Sequence, residues 1–253
     1  MTPDVRTLGR RLAGRLPGWL TDPVPRDHRE TDEAFHHRRR VVAAVSVAGA
    51  GLLGVSLSTE PDSREFYGLT FGVAATWLLG GLASGPLHLG RQAHGDALRR
   101  PVVTPIATGA AAFGAFYGAA LVARRIPLLE RPLTSIVQYA KQGSDPLVYA
   151  TTLANGAAEE VFFRGALYAA VGAQHPVIRS TAVYGLATIA TRNPALVLAS
   201  VVMGGLFGQQ RKVTGGIQAP VLTHLTWSAL MLRYLPPLFR ERPAGPGGQV
   251  ESL

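Results

Sequence analysis

Cysteine is absent from the 253 residues. That absence removes disulfides, thiolate nucleophiles and every cysteine-based metal site. Lysine is nearly missing as well: Lys141 and Lys212 are the only two, so arginine carries almost all of the positive charge. Charged residues make up 16% of the chain and apolar ones 47%, and the charged share is well under the roughly 25% of soluble domains. The charge that is present sits in short Arg-rich joints between long apolar runs, which is the pattern of a polytopic membrane protein. The net charge of +9 therefore belongs to the flanks of spans, where Arg meets anionic lipid, and no nucleic-acid partner is expected. The arginine bias, with abundant Ala and Gly, points to a GC-rich bacterial genome. The first apolar run starts only near Val41, so no secretory signal is expected.

Nine Arg and six acids crowd Met1 to Arg40. Val5, Leu8, Leu12 and Leu16 recur there at helical spacing. They fit either a short helix on the membrane surface, ended by Pro17-Gly18, or a disordered basic tail. Apolar runs then predict spans at Val41 to Ser58, Phe66 to Ser84, Val102 to Ala123, Leu147 to Val171, Val177 to Thr191, Ala195 to Gln209 and Ile217 to Leu235. The expected fold is all-α: one polytopic transmembrane helical bundle of about seven spans, followed by a disordered Pro/Gly-rich tail over residues 236–253. The stretch Ile126–Ala140, interrupted by Pro127 and Pro132, is expected as an interfacial or re-entrant piece. The positive-inside rule puts the N-terminus in the cytoplasm, the acidic joint Glu60-Pro61-Asp62 outside and the Arg91–Arg100 joint inside. Arg124, Arg125, Arg131 and Lys141 then fall on the outer side, against the rule.

One stretch places ionisable groups at membrane depth: Asn155-Gly-Ala-Ala-Glu-Glu-Val-Phe-Phe-Arg164. Each such group costs about 2.5–3.5 kcal/mol on insertion scales, so Glu159, Glu160 and Arg164 together need a reason. Glu160 and Arg164 are four apart with the acid first, the favoured order for an ion pair on one helix face. Glu159 points about 100° away, on the face of Asn155 and Thr152, without a partner in its own helix. A carboxylate desolvated in this way suits a general base or acid near neutral pH. The competing reading is a buried polar cluster that glues helices together. His224 lies mid-span in Pro220-Val-Leu-Thr-His-Leu-Thr-Trp-Ser228, with Ser228 one turn later. It is a candidate proton relay, metal ligand or oxyanion donor, against the plainer reading of an interhelical hydrogen bond. A third face carries Tyr184, Thr188 and Arg192, although a Thr hydroxyl in a membrane helix usually bonds back to its own backbone. Gly204, Gly205 and Gly208 form a small-residue packing face. His175 reads as a loop histidine.

These pieces, in this order, resemble the CAAX-protease and bacteriocin-processing (CPBP) family of intramembrane proteases, the type II CAAX prenyl endopeptidase-like proteins. The family's Glu-Glu-x-x-x-Arg motif matches Glu159-Glu160-Val-Phe-Phe-Arg164 in full. Its Phe-x-x-x-His motif corresponds to Tyr184-Gly-Leu-Ala-Thr188, with Thr in place of His. Its His-x-x-x-Asn motif corresponds to His224-Leu-Thr-Trp-Ser228, half matched. The resemblance covers Val148 to Leu235. It implies an intramembrane endopeptidase acting on a membrane-associated peptide or protein substrate in the bacterial cytoplasmic membrane. Glu159 would activate the attacking water, His224 would help stabilise the oxyanion, and Glu160 and Arg164 would hold the helix and carboxylate in place. Thr188 can hydrogen-bond a water but cannot take its proton, while Ser228 offers a shorter donor where the family has Asn. Family members have been described as metalloproteases, and a glutamate mechanism without bound metal is also argued. With the motif His absent, too few soft ligands are left for a zinc site, which takes about three protein ligands. No cofactor is expected, and a divalent metal is the less favoured alternative. Two other readings stand beside the peptidase. One is a catalytically degenerate member that binds or chaperones a membrane partner. The other is a proton-coupled transporter in which Glu159 and His224 titrate, although no inverted repeat is visible.

The orientation is testable because the chain has no cysteine. An Asp62→Cys variant should react with an impermeant maleimide only from outside the cell, and labelling only from the cytoplasm would overturn the assignment.

Overall fold

The computed structural model describes residues 21–23, 30–94, 96–143 and 145–239. The surface helix or tail expected over Val5 to Leu16 lies outside the described residues, as do residues 240–253. The described chain is a helical bundle. Its elements are α1 (Asp32–Ser56), α2 (Arg64–Ala83), a hairpin of β1 (Gln92–His94) and β2 (Ala97–Arg99), α3 (Val103–Ala123), α4 (Pro127–Gln142), α5 (Asp145–Glu159), α6 (Pro176–Ile189), α7 (Pro194–Thr214) and α8 (Gln218–Tyr234). Beyond α5 the same rod continues as a π-helical turn, Glu160–Leu167, and a last α-turn, Tyr168–Ala170.

Among the described residues three helices, α1, α2 and α3, are long and apolar enough to cross a membrane. The outward faces are aliphatic: Val103 is 78% exposed, Val47 77%, Ile178 68%, Leu186 66% and Leu198 65%. A soluble monomer rarely shows so much contiguous apolar surface, whereas lipid covers it without cost. Among the described residues the seven rods α1, α2, α3, α5, α6, α7 and α8 lie over the seven apolar runs, and the end contacts of α1, α2, α7 and α8 define two ends of the bundle. At one end Arg38 of α1 donates to Glu30, to Ser84 Oγ (3.0 Å) and to the Pro86 carbonyl (3.0 Å), tying the start of α1 to the end of α2. At the same end Ile217 N donates to His88 O (2.9 Å) and Arg91 N to Thr214 O (2.8 Å), clamping the α7–α8 turn onto the joint after α2. Gly90, with φ of 85°, sits where a Cβ would meet Thr214 O at 2.6 Å. At the other end Tyr139 of α4 donates to Leu57 O (2.9 Å), and Asn193 donates to Pro132 O (2.9 Å) while capping α7.

Several boundaries differ from the sequence reading. The first helix starts at Asp32, not Val41, because Thr31 accepts from Ala34 N as an N-cap and Asp32 and Glu33 follow in the first turn. Arg38-Arg39-Arg40 is therefore helical. The α7 helix runs on past Gln209 to Thr214, with Arg211 and Lys212 in its last turn, where cations meet the helix dipole favourably. The all-α expectation misses the small antiparallel hairpin, whose register pairs Gln92 with Arg99 and His94 with Ala97. The Ile126–Ala140 piece is a single helix, α4, that continues through Pro132. Residues Pro236–Phe239, assigned to the tail, form a 3-10 turn with Phe239 buried. Two of the cations that strained the positive-inside rule have a use here: Arg124 and Lys141 donate to the carbonyls of Leu238 and Phe239 (3.4 and 2.6 Å), just past the end of α8.

The core centres on Trp77, fully buried between Phe162 and Phe163 with ring centroids 4.8 and 4.9 Å apart. Helices reach it closely because glycines replace bulk: a Cβ on Gly49 would overlap the Trp77 ring, and one on Gly81 would lie 2.8 Å from Val161 Cγ1. Such close backbone approach drives packing in lipid, where the hydrophobic effect between helices is absent. The α3–α8 contact makes this testable. A Cβ on Gly109 would lie 2.7 Å from the backbone oxygen of Thr223, which cannot yield, whereas one on Gly114 meets nothing within 4 Å. Gly109→Ala should lower thermal stability in detergent by about 1–3 kcal/mol, and Gly114→Ala should leave it unchanged or slightly higher.

Candidate active site

The two adjacent glutamates part at a change of helix type. Glu159 is the last residue of α5 and Glu160 the first of the π-turn. The π-helix bonds i to i+5 and so widens the turn, a distortion found mostly at functional sites. The Tyr168 amide donating to Phe163 O closes it.

Glu160 is wholly buried, as is Arg164. The Nε of Arg164 lies 3.2 Å from Oε2 of Glu160, and Nδ1 of His224 on α8 lies 3.0 Å from Oε1. An ionised carboxylate only accepts, so Nδ1 of His224 carries the proton and donates it, which leaves Nε2 as the free nitrogen. The free edge of the imidazole faces α5: a Cβ on Gly156 would stand 3.4 Å from Cδ2 and 3.5 Å from Nε2. Gly156 is one turn before Glu159. His224 is also stacked on Phe207, with centroids 4.9 Å apart and planes 23° from parallel.

Arg164 is held by aromatic faces as much as by its counter-ion. Its guanidinium carbon lies 4.6 Å from the Tyr184 centroid and 5.1 Å from that of Phe207. A desolvated cation on an aromatic face gains about 2 kcal/mol or more. This offsets the lack of any hydrogen-bond partner for Nη1 and Nη2 among the described residues. The Arg164 carbonyl accepts from Nε of Arg211 at 2.8 Å, which fastens the π-turn to α7.

Glu159 leaves the rod on another side. It is only partly buried, and its Oε2 accepts from the Tyr184 hydroxyl on α6 at 2.6 Å. Asn155, on the expected face, spends its amide on the carbonyls of Thr70 and Thr151 (3.0 and 2.9 Å), joining α2 to α5. Thr188 is buried, but its hydroxyl donates to Tyr184 O at 2.8 Å, the back-bonded arrangement expected for a membrane threonine. Ser228 is buried one turn beyond His224. Arg192 is not on the Tyr184–Thr188 face: α6 stops at Ile189, and Arg192 stands in the turn with φ of 55°. Tyr184 was legible as a member of the third candidate face and as the aromatic of a motif, but not as the partner of Glu159. The signal that could have singled it out was a hydroxyl at a position where the resembling pattern has Phe.

The full Glu-Glu-x-x-x-Arg match, set on a distorted membrane helix against a histidine from a later helix, fits one comparison. Residues 143–230 match the family model described as Type II CAAX prenyl endopeptidase Rce1-like. That stretch, 88 of the 253 residues, is similar to this family. It holds Glu159, Glu160, Arg164, Tyr184, Thr188, His224 and Ser228, and it spans α5 to most of α8. No curated protein and no solved structure matches the chain. The family has been described as metal-dependent, so the donor set of the matched stretch matters. Among the described residues no group of three or more His, Cys, Asp or Glu side chains could hold a metal ion. Glu160 and Nδ1 of His224 are already committed to each other. The residues present do not fit a zinc site, and no chemical step is assigned to one.

The pairing of Glu160 predicts a specific fragility. Arg164→Met leaves a buried carboxylate uncompensated and should cost about 3–5 kcal/mol. Thermal unfolding should show that loss, with part of it recovered in the double variant Glu160→Gln/Arg164→Met.

Proposed function

We propose that the chain is an intramembrane endopeptidase in which Glu159 activates water against a peptide bond of a membrane-associated substrate. One observation carries this reading. Of the two carboxylates, Glu160 is spent on Arg164 and His224, while Glu159 is partly exposed and keeps Oε1 clear of the hydrogen bond that holds Oε2.

The chemistry follows from the groups present. Oε1 of Glu159 takes a proton from water as the water oxygen bonds to the carbonyl carbon, and the carbonyl π electrons move onto oxygen. His224, positioned by Glu160, faces the oxyanion through its Nε2 edge and stabilises it by donating when that nitrogen is protonated. Collapse of the intermediate breaks the carbon–nitrogen bond, and the leaving amine takes the proton from Glu159. Ser228 would add a shorter donor on the same helix face. Thr188 supplies no base, since a neutral hydroxyl does not take a proton from water, and its own proton is given to the Tyr184 carbonyl.

In this reading all seven long rods cross the bilayer, with the N-terminus in the cytoplasm. The end bearing Arg38, Arg91 and Arg211 is then cytoplasmic. His224 lies six residues from the start of α8 at Gln218, about 9 Å along the axis. The reaction would take place in the cytoplasmic half of the membrane.

The occupied hydroxyl of Thr188 favours a second reading, a non-catalytic member that keeps the bundle to bind a membrane partner. Cleavage of a membrane-anchored reporter by the reconstituted protein separates the two. Under the peptidase reading, Glu159→Gln and His224→Ala each lower the rate by a factor of about 10² to 10⁴. Unchanged cleavage in both variants would place the reaction elsewhere. A wild-type protein that binds the reporter without cutting it would favour the second reading.

A further inference from the structure

The reading of Glu159 as the base leaves open what holds its carboxylate in place, since its own rod offers no partner. We infer that Tyr184 is the positioning residue of that carboxylate: its O–H fixes Oε2 of Glu159 and so presents Oε1 to water. This inference rests on the proposed role of Glu159 and adds a residue to the same site.

The hydroxyl donates to Glu159 Oε2 at 2.6 Å, within the range of a charge-assisted O–H···O bond. The ring that carries it is itself fixed. Arg164 lies over one face, with its guanidinium carbon 4.6 Å from the centroid, and the Phe163 ring packs 4.5 Å away. The Tyr184 carbonyl accepts from Thr188, so the threonine that shares this helix face braces the tyrosine's backbone and leaves the donation to Glu159 to the phenol. The charged and titratable groups facing Glu159 are His224 from α8, Tyr184 from α6, and Glu160 and Arg164 from its own rod. Of these, only Tyr184 is hydrogen-bonded to it among the described residues. Glu159 on α5 and Tyr184 on α6 are 25 residues apart in sequence. The bond therefore also fixes the register of one helix against the other at the reactive carboxylate.

The conservative test is Tyr184→Phe in the full chain in nanodiscs, because it keeps the ring on Arg164 and removes only the donor. Against a lipid-anchored fluorogenic peptide, kcat should fall about 10- to 100-fold, the worth of a hydrogen bond to a charged group, with KM little changed. A readout independent of turnover is the infrared band of the Glu159 carboxyl, assigned by its disappearance in Glu159→Gln. In Tyr184→Phe the protonated band should shift to higher wavenumber, because its hydrogen-bond donor is gone. If Tyr184→Phe matches wild type in kcat and carboxyl band while Glu159→Gln is inactive, the tyrosine inference fails and the base assignment stands. If Glu159→Gln cleaves as wild type does, the base assignment itself is wrong.

Discussion

The structure depends on one buried charge being neutralised. Glu160 has no access to water, and a lone carboxylate there would cost far more than a single helix could offset. Its two oxygens face Arg164 and His224 at 3.2 and 3.0 Å. That requirement brings α8 onto the rod of α5, and the demands of Arg164 bring in two more helices. Its guanidinium needs the faces of Tyr184 on α6 and Phe207 on α7. A single ion pair therefore organises the contact of four rods. Gly204, where a Cβ would lie 3.4 Å from Arg164 Nη2, keeps α7 close enough for this to work.

The same constraint frees the neighbouring carboxylate. Because the backbone widens from α to π between them, adjacent glutamates reach partners on different helices: His224 on α8 for Glu160 and Tyr184 on α6 for Glu159. The first partnership neutralises charge in a sealed interior. The second is a neutral donor to one oxygen of a partly exposed group. In the proposed reading Glu159 is the carboxylate that meets water, while Glu160 is held between a guanidinium and an imidazole. In that reading, structural and reactive roles fall to two residues side by side, and the helix distortion keeps them apart.

Much of this was legible in the sequence because apolar periodicity and motif spacing are local. The rod that carries the acidic motif, the Glu160–Arg164 pair and the back-bonded Thr188 follow from positions within one helix. The boundaries of α1 and α7 did not, because caps and cations in terminal turns extend helices past the end of their apolar runs. The links between helices were also hidden. Nothing in the spacing of Tyr184 says that its hydroxyl reaches Glu159, and nothing near His224 says that Glu160 takes its Nδ1 proton. The π-turn has no composition signal of its own, so the separation of the two glutamates was expected from ideal α geometry and reached by another route. Asn155 shared the face of Glu159 as expected, but tertiary contact with α2 claimed its amide.

The division of labour between the glutamates is tested most directly by the thermal unfolding of Glu159→Gln and Glu160→Gln side by side in the same nanodiscs. Glutamine at 160 strips the counter-charge from a buried Arg164 and weakens the acceptor of His224. Glutamine at 159 leaves the Tyr184 donor an acceptor of similar shape. The account predicts a clear loss of melting temperature for Glu160→Gln and a value near wild type for Glu159→Gln. Equal losses, or a greater loss at position 159, would contradict it.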